Sequence, residues 1–421
     1  MSLALLGGKA YLEGTLVKKN LLIENGKITK MTSQKISAQK EIDCTGKIIL
    51  PGAIDVHVHF RVPGFEYKED WVSGSLAAIA GGVTTVMDMP NTNPPTDTLA
   101  NLEQKRAIVA KDALVNFDLY MAATENNLEE IGAAKNLRAV KLYFGSTTGD
   151  ILFNKIEKIR ELFKLSARNG FIVVAHAEDE TTIRKNSEHY KNENSVSFHP
   201  LIRDEQAEVL AIAALLKIQK EAGNKFHVAH ISSKKGVELV KEAKAKSNGK
   251  ITCEVTPHHL LLDSTHYKTL GNLLKCNPSV KGPEHRKALF SALKKGTIDI
   301  VSTDHAPHSQ EEKAREYLQC PSGVPGVETL YPIMLDQVNR KKIGLEKVVE
   351  VLCENPAAIF NWPTKGFIKE GFDADLVIVD MEKKYVLHNE KLFTKAKYTP
   401  FADQKLKGFV ENTIVGGEVF G

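Results

Sequence analysis

Eight short apolar runs follow one another along the middle of the chain, and stretches with helical patterning separate most of them. They are the run around "DVHVHFRVPG" (55–64), "VTTVMDM" (83–89), "LVNFDLYM" (114–121), "RAVKLYF" (138–144), "FIVVAHAE" (171–178), "FHVAHIS" (226–232), "KITCEVT" (250–256) and "IDIVSTD" (298–304). The clearest helix is "DEQAEVLAIAALLKIQKEAG", which opens on Asp204 with an acidic first turn and stops at Gly223. Strand and helix alternating in this way predict a (β/α)8 barrel, an α/β fold whose chemistry sits at the C-terminal ends of its strands. A doubly wound open sheet shares the alternation, but no glycine-rich phosphate fingerprint follows the first strand.

The flanks differ. Residues 1–50 are short alternating runs broken by glycine ("LLIENGKITKM", "EIDCTGKIIL"), and the same texture returns in "DADLVIVDMEKKYVL" and "FVENTIVGGEVFG" near the end. Matched texture at both ends predicts that the two terminal segments share one small sheet.

Polar residues gather where the barrel strands end. Period-two alternation puts Ile54, Val56, Val58 and Phe60 on one face of the first strand, with Asp55, His57 and His59 on the other. That strand alone also fits a solvated edge with two surface histidines. The fifth strand ends in His176, the sixth in His230 and the eighth in Asp304. Imidazoles and a carboxylate converging on one mouth are what a divalent transition metal such as zinc requires. Lys141 joins them, because Val140, Leu142 and Phe144 take the opposite face of "RAVKLYF". A buried, unpaired ammonium loses hydration and repels cations, so Lys141 is expected to be neutral or modified. A neutral amine adds carbon dioxide to form a carbamate, an anion able to bridge two metals. The alternative is a lysine that snorkels outward or pairs with a carboxylate such as Asp150.

Composition narrows the function classes. With 421 residues, one large domain and an appendage, or two domains, is the expectation. A net charge of only +4 argues against nucleic acid as the main partner and toward a small substrate. Five scattered cysteines without a CxxC pair fit a reducing compartment. The N-terminus lacks the features of a secretory signal, and no apolar run is long enough for a bilayer span, so a cytoplasmic protein is expected.

The motifs "DVHVHFRVPG", "MPNTNPPT", "KLYFGST", "VAHAED", "HVAHIS", "CEVTPHHL", "STDHAPH" and "PSGVPGVET" occur in this order over nearly the whole chain. Together they resemble the dihydroorotases of the amidohydrolase superfamily. The resemblance implies zinc-dependent, reversible interconversion of N-carbamoyl-L-aspartate and L-dihydroorotate in pyrimidine synthesis. It also implies a distorted barrel over 51–365, with a small β-sandwich domain built from 1–50 and 366–421. By the same resemblance His57, His59 and Asp304 hold one zinc, His176 and His230 a second, and carbamylated Lys141 and a hydroxide bridge them. Asp304 is then the catalytic acid/base. Arg61, Asn91, Asn277 and His308 recognise the substrate, backbone groups near Gly323 meet its ring amide, and Thr147 reaches over it from a loop. Arg61 is also implied by its own position, two residues past His59 on the same face, where it can fork onto a carboxylate.

Three departures from the family pattern stand out. Val62 replaces the usual glutamate after the arginine, so support for Arg61 must come from elsewhere. "NPSVK" stands for the more usual "NPPLR" around Asn277. Some relatives bridge the metals with an aspartate of the following loop, and this chain has both Lys141 and Asp150; the in-strand Lys141 is favoured. His258 and His259 read as structural supports, and His189, His199, His227, His266, His285 and His388 as solvated. Allantoinase and dihydropyrimidinase share the barrel and the metals, but their substrates leave Arg61 without a carboxylate. A non-catalytic scaffold would not need the full ligand set. Neither nucleic acid nor a membrane is an expected partner, whereas a homodimer and association with aspartate carbamoyltransferase are left open.

Overall fold

The computed structural model describes residues 2–147 and 151–421. Eight parallel strands form its centre: β1 (Ala53–Val58), β2 (Val83–Asp88), β3 (Asn116–Leu119), β4 (Ala139–Tyr143), β5 (Ile172–His176), β6 (Phe226–Val228), β7 (Ile251–Val255) and β8 (Ile300–Val301). β1 to β3 pair in chain order, and so do β4 to β8. Between them the ladder steps sideways, and the short strand Met121–Ala122 pairs with β4 in place of β3. The ring closes through a parallel bridge from Val58 to His305, beside which the His59 N–H donates to the His305 carbonyl at 2.8 Å. The result is the distorted barrel that the alternation and the resemblance predict.

Sequence explains the layers. β4 and β5 are buried at every residue, so they read as continuous apolar runs rather than as half-buried strands. Val140, Leu142 and Phe144 pack outward with Val173 and Ala175 in the main core, which leaves Lys141 facing inward as expected. β1 departs from expectation. Ile54 and Val56 join Ala139, Ile172 and Val174 on the floor of the barrel interior, while Val58 and Phe60 pack outward. An irregularity in the β1–β2 pairing between Asp55 and Val58 breaks the period-two count there. Asp55 therefore does not share a face with the two histidines; its carboxylate caps the Thr303 hydroxyl and N–H.

The predicted helix from Asp204 spans Glu205–Ala222. The Asp204 carboxylate accepts from the Ala207 N–H, and Gly223 ends the helix at φ +67°, a left-handed conformation that glycine adopts without strain.

Both termini meet in two further sheets. One has four strands, in the order Lys27–Thr32, Asn20–Glu24, Ser2–Leu6, Lys40–Asp43. The other has six, in the order Glu418–Phe420, Lys405–Val415, Leu376–Val386, Ile48–Pro51, Lys9–Leu12, Thr15–Lys18. Leu5, Leu21 and Ile23 of the first face Ile49, Leu376 and Ile414 of the second across a separate small core. The shared terminal sheet is thus present, as one layer of a β-sandwich. No helix among the described residues is long and apolar enough to cross a membrane.

Candidate active site

The predicted ligands converge. His57, His59, Lys141, His176, His230 and Asp304 line one cavity at the C-terminal ends of the barrel strands, together with Arg61, Asn91, Thr147, Asn277 and Gly323. Two of these residues sit past the ends of their ladders, His230 beyond β6 and Asp304 beyond β8. Both adopt positive φ, +31° and +46°, and so does Arg61 at +68°. A non-glycine residue held there costs on the order of 1 kcal/mol, and such strain concentrates where a side chain must be aimed.

The donor atoms form two adjoining groups. Asp304 Oδ1 lies 3.0 Å from His59 Nε2 and 3.3 Å from His57 Nε2, and Lys141 Nζ lies 3.3 Å from that same His57 nitrogen. On the other side His176 Nδ1 meets His230 Nε2 at 3.1 Å. The rings of His57 and His230 stand 5.1 Å apart and join the groups, and donor atoms of His57, His230 and Asp304 fall within 4.8 Å of one another. Donors around a tetrahedral zinc, with bonds of about 2.0–2.1 Å, stand roughly 3.3 Å apart. The spacing and the chemistry of the set fit such an ion. Burial pulls all four imidazoles below the ordinary histidine value, and Lys141 adds to the effect at each, so they are held neutral, the form that binds metal. Burial also pulls the Lys141 amine down to about 8.

Around these residues lies a further layer, of which the sequence reading singled out only Asn91, for the substrate. His57 Nδ1 is 2.5 Å from Glu254 Oε1, and His227 Nε2 is 3.3 Å from Glu254 Oε2. Burial raises the Glu254 carboxyl, but the facing histidines outweigh it and hold the group well below the usual carboxylate range. An ionised Glu254 keeps the His57 proton on Nδ1 and leaves Nε2 for a metal. His59 Nδ1 is likewise 2.7 Å from Asn91 Oδ1. His176 Nε2 lies 3.0 Å from Glu178 Oε2, and Arg203 donates to the same Glu178 oxygen and to the Ser146 carbonyl at the foot of the Thr147 loop. The signal for Glu254 was available, since Ile251, Cys253 and Val255 pack outward and leave it pointing in.

His199 and His227 correct the reading of them as solvated. Both are buried; His199 Nε2 approaches the Cys276 carbonyl at 2.8 Å and Asn277 Oδ1 at 3.1 Å, while His227 faces Glu254. His259 is a support as expected, with its nitrogens on Thr256 Oγ1 and the Pro278 carbonyl. Asn277 Nδ2 donates to Thr147 Oγ1 at 3.4 Å, so the loop and the seventh-strand side meet above the cavity. Asp150 lies outside the described residues. Tyr143, two residues after Lys141 and on the same face, also lines the cavity.

Arg61 occupies the other end. Only 4% exposed, it donates from Nε to the Pro307 carbonyl at 3.2 Å, and its Nη2 lies 3.3 Å from His308 Nε2. These contacts supply the support that Val62 cannot. Among the described residues no carboxylate makes an ion pair with the guanidinium. His308 does not line the cavity; it stands behind Arg61, completely buried.

Comparison with known proteins fits this geometry. The model of the amidohydrolase family matches residues 48–420. The chain belongs to the amidohydrolase family. Among amidohydrolases of known name, a dihydroorotase from Methanosarcina acetivorans is 37% identical, over 98% of this chain and 90% of its own length. A dihydroorotase from Bacillus cytotoxicus is 36% identical over 97% and 95%. Of solved amidohydrolase structures, L-hydantoinase (dihydropyrimidinase) from Arthrobacter aurescens superposes with a TM-score of 0.94 at 29% identity, covering 99% of this chain and 95% of that one.

Proposed function

We propose that the chain is a dihydroorotase, interconverting N-carbamoyl-L-aspartate and L-dihydroorotate. One observation carries the choice within the family: a buried guanidinium, Arg61, faces a cavity of metal-ligand type and has no carboxylate partner among the described residues. An unpaired buried charge is costly, and a substrate carboxylate satisfies it. The full-length relatives named dihydroorotase support the same reading.

In this reading His57, His59 and Asp304 would hold one zinc and His176 and His230 a second, with Lys141, as a carbamate, completing the ligand set. The lowered Lys141 pKa, about 8, supports the modification, since a neutral amine adds CO2 and releases one proton to become the anion. Bound there, zinc would supply hydroxide near neutral pH and polarise a carbonyl. Asp304 accepts the proton of the attacking oxygen and passes it to the ring nitrogen as the amide C–N bond breaks; synthesis reverses both transfers. Arg61, Asn91 and Asn277 recognise the carboxylate from the cavity wall, and His308 acts from behind Arg61, whose guanidinium it contacts. Backbone groups at Gly323 meet the ring amide, and Thr147 closes over it. By the same reading the reaction belongs to pyrimidine synthesis in the cytoplasm.

The similarity to L-hydantoinase favours a second reading, hydrolysis of an uncharged cyclic amide. Arg61→Met separates the two. Losing a charge-assisted contact costs about 2 to 5 kcal/mol, tens to thousands of fold in kcat/KM. The loss is expected on dihydroorotate and carbamoyl-aspartate and not on dihydrouracil, with zinc content unchanged. Equal losses on charged and uncharged substrates contradict the proposal.

A further inference from the structure

One open cavity away from the catalytic site, about 540 Å³ in volume, carries charge of a single sign on its wall. Arg286, Lys287, Lys294, Lys295 and Lys342 line it together with Leu260, Leu261 and Phe290, and no aspartate or glutamate does. Three other open cavities each hold a carboxylate among their cations, Glu161, Asp336 and Glu242 in turn. No residue of this wall lines the catalytic cavity. The helix Pro283–Lys294 forms one side of it and buries Leu289, Ala292 and Leu293 in the protein. Its residues Lys287, Phe290, Ser291 and Lys294, spaced i, i+3, i+4 and i+7, make a second stripe that faces the cavity. A half-buried phenyl ring thus lies between two exposed lysines.

The charges are unspent. Among the described residues Lys287, Lys294, Lys295 and Lys342 make no ion pair, and Arg286 gives only its Nε to Asp263 Oδ2, at 3.0 Å. The negative end of the helix dipole accounts for Lys294 and Lys295, but not for Lys287 two turns earlier or for Lys342 on another segment. Gln337, on the same wall, is only 6% exposed. Its Nε2 donates to Asp336 Oδ2 at 3.3 Å, whereas its Oε1 has no hydrogen-bond partner among the described residues. A buried acceptor left this way is satisfied by a ligand that brings an N–H donor.

We propose that this cavity binds a nucleoside polyphosphate, with the phosphates on the lysines and Arg286 and the base against Phe290, donating an N–H to Gln337. Converging like charges repel one another, and a polyanion relieves all of them at once. A second copy of the same face would add to the repulsion. Inorganic phosphate would leave the apolar wall and Gln337 unused, whereas a base stacks on an aromatic ring and carries the donor that Gln337 lacks. The volume suits one small molecule rather than a segment of another protein.

Titration calorimetry of the zinc-loaded protein with the magnesium salts of ATP and UTP tests this. The expected result is one site per chain for at least one of the two, with a Kd about tenfold or more below that of tripolyphosphate, because stacking adds to the charge contacts. Raising the salt from about 0.1 to about 0.3 M weakens the binding. The double variant Lys287→Glu/Lys294→Glu raises Kd about tenfold or more at an unchanged unfolding midpoint. Phe290→Leu keeps an apolar wall without the ring and brings the nucleotide to within about threefold of tripolyphosphate. Absence of binding by both nucleotides up to about 1 mM overturns the proposal. So does an unchanged Kd in the double variant, or competition by dihydroorotate, which would place the nucleotide in the catalytic cavity. Tripolyphosphate or hexaglutamate binding as tightly as the nucleotides overturns it too, in favour of a bare polyanion or an acidic segment of another protein.

Discussion

Asp304 stands on a backbone at φ +46° that aims one carboxylate oxygen at the Nε2 atoms of both His57 and His59. Asparagine keeps that shape and an oxygen ligand but accepts no proton. Asp304→Asn is therefore expected to lower kcat by about 10²–10⁴-fold while the Kd for dihydroorotate stays within a few fold; a variant with near-normal kcat moves the acid/base role elsewhere. At Lys141 the pH dependence has a definite sign. Burial lowers its amine from the ordinary 10.5 to about 8, so the neutral, CO2-accepting form is scarce well below pH 8 and dominant above it. At fixed dissolved 13CO2, metal-free protein should form the carbamate faster as pH rises through about 8 and level off beyond, followed as a carbamate 13C resonance. Absence of that resonance from zinc-loaded protein contradicts the modification. Single residues were readable where the chain announces them: HxH, and His or Asp at predicted strand ends. Glu178 and Arg203 were not: Glu178 stands two residues past His176, but the Arg203 that pairs with it lies 25 residues further along and meets it only in the fold. His199 and His227 misled even though their immediate neighbours, Phe198 and Pro200, Phe226 and Val228, are apolar, because a lone histidine in such a run does not show which buried partner its imidazole meets.

At the scale of the element, capping chemistry was legible and strand ends were not. Asp204 and Gly223 mark the two ends of Glu205–Ala222. Replacing Asp204 with Ala leaves the Ala207 N–H without its partner and is expected to destabilise the protein by about 1 kcal/mol, lowering the denaturant midpoint without changing the slope; an unchanged midpoint would mean that the cap is dispensable. Predicted strands ran long at β6 and β8 because their last residues, His230 and Asp304, turn out of the ladder to face the cavity. The β1 bulge escaped for a related reason. A period-two count has no way to register an extra residue, and that extra residue is what turns His57 inward directly after Val56.

On the scale of the whole molecule, the barrel followed from repetition along the chain, whereas the pairing of the termini depends on contacts more than 300 residues apart, such as Leu50 beside Val377. Texture indicated a common sheet but not its order. Ending the chain after Gln404 removes Lys405–Val415 and Glu418–Phe420 and strips one of the two partners from the long strand Leu376–Val386, leaving only its pairing with Ile48–Pro51. The exposed apolar edge should leave the product insoluble or without cooperative unfolding; a soluble, cooperatively unfolding fragment would show that the terminal sheet is an independent addition. What the assembled molecule does is tested most directly by comparing substrates on the zinc-loaded protein. With Arg61 unpaired by any described carboxylate, kcat/KM for L-dihydroorotate is expected to exceed that for dihydrouracil, hydantoin or allantoin by about 10⁴-fold, the discrimination of a site built to bind a polar group that the analogues lack. Turnover of any of the three uncharged amides equal to or faster than that of dihydroorotate would contradict the account.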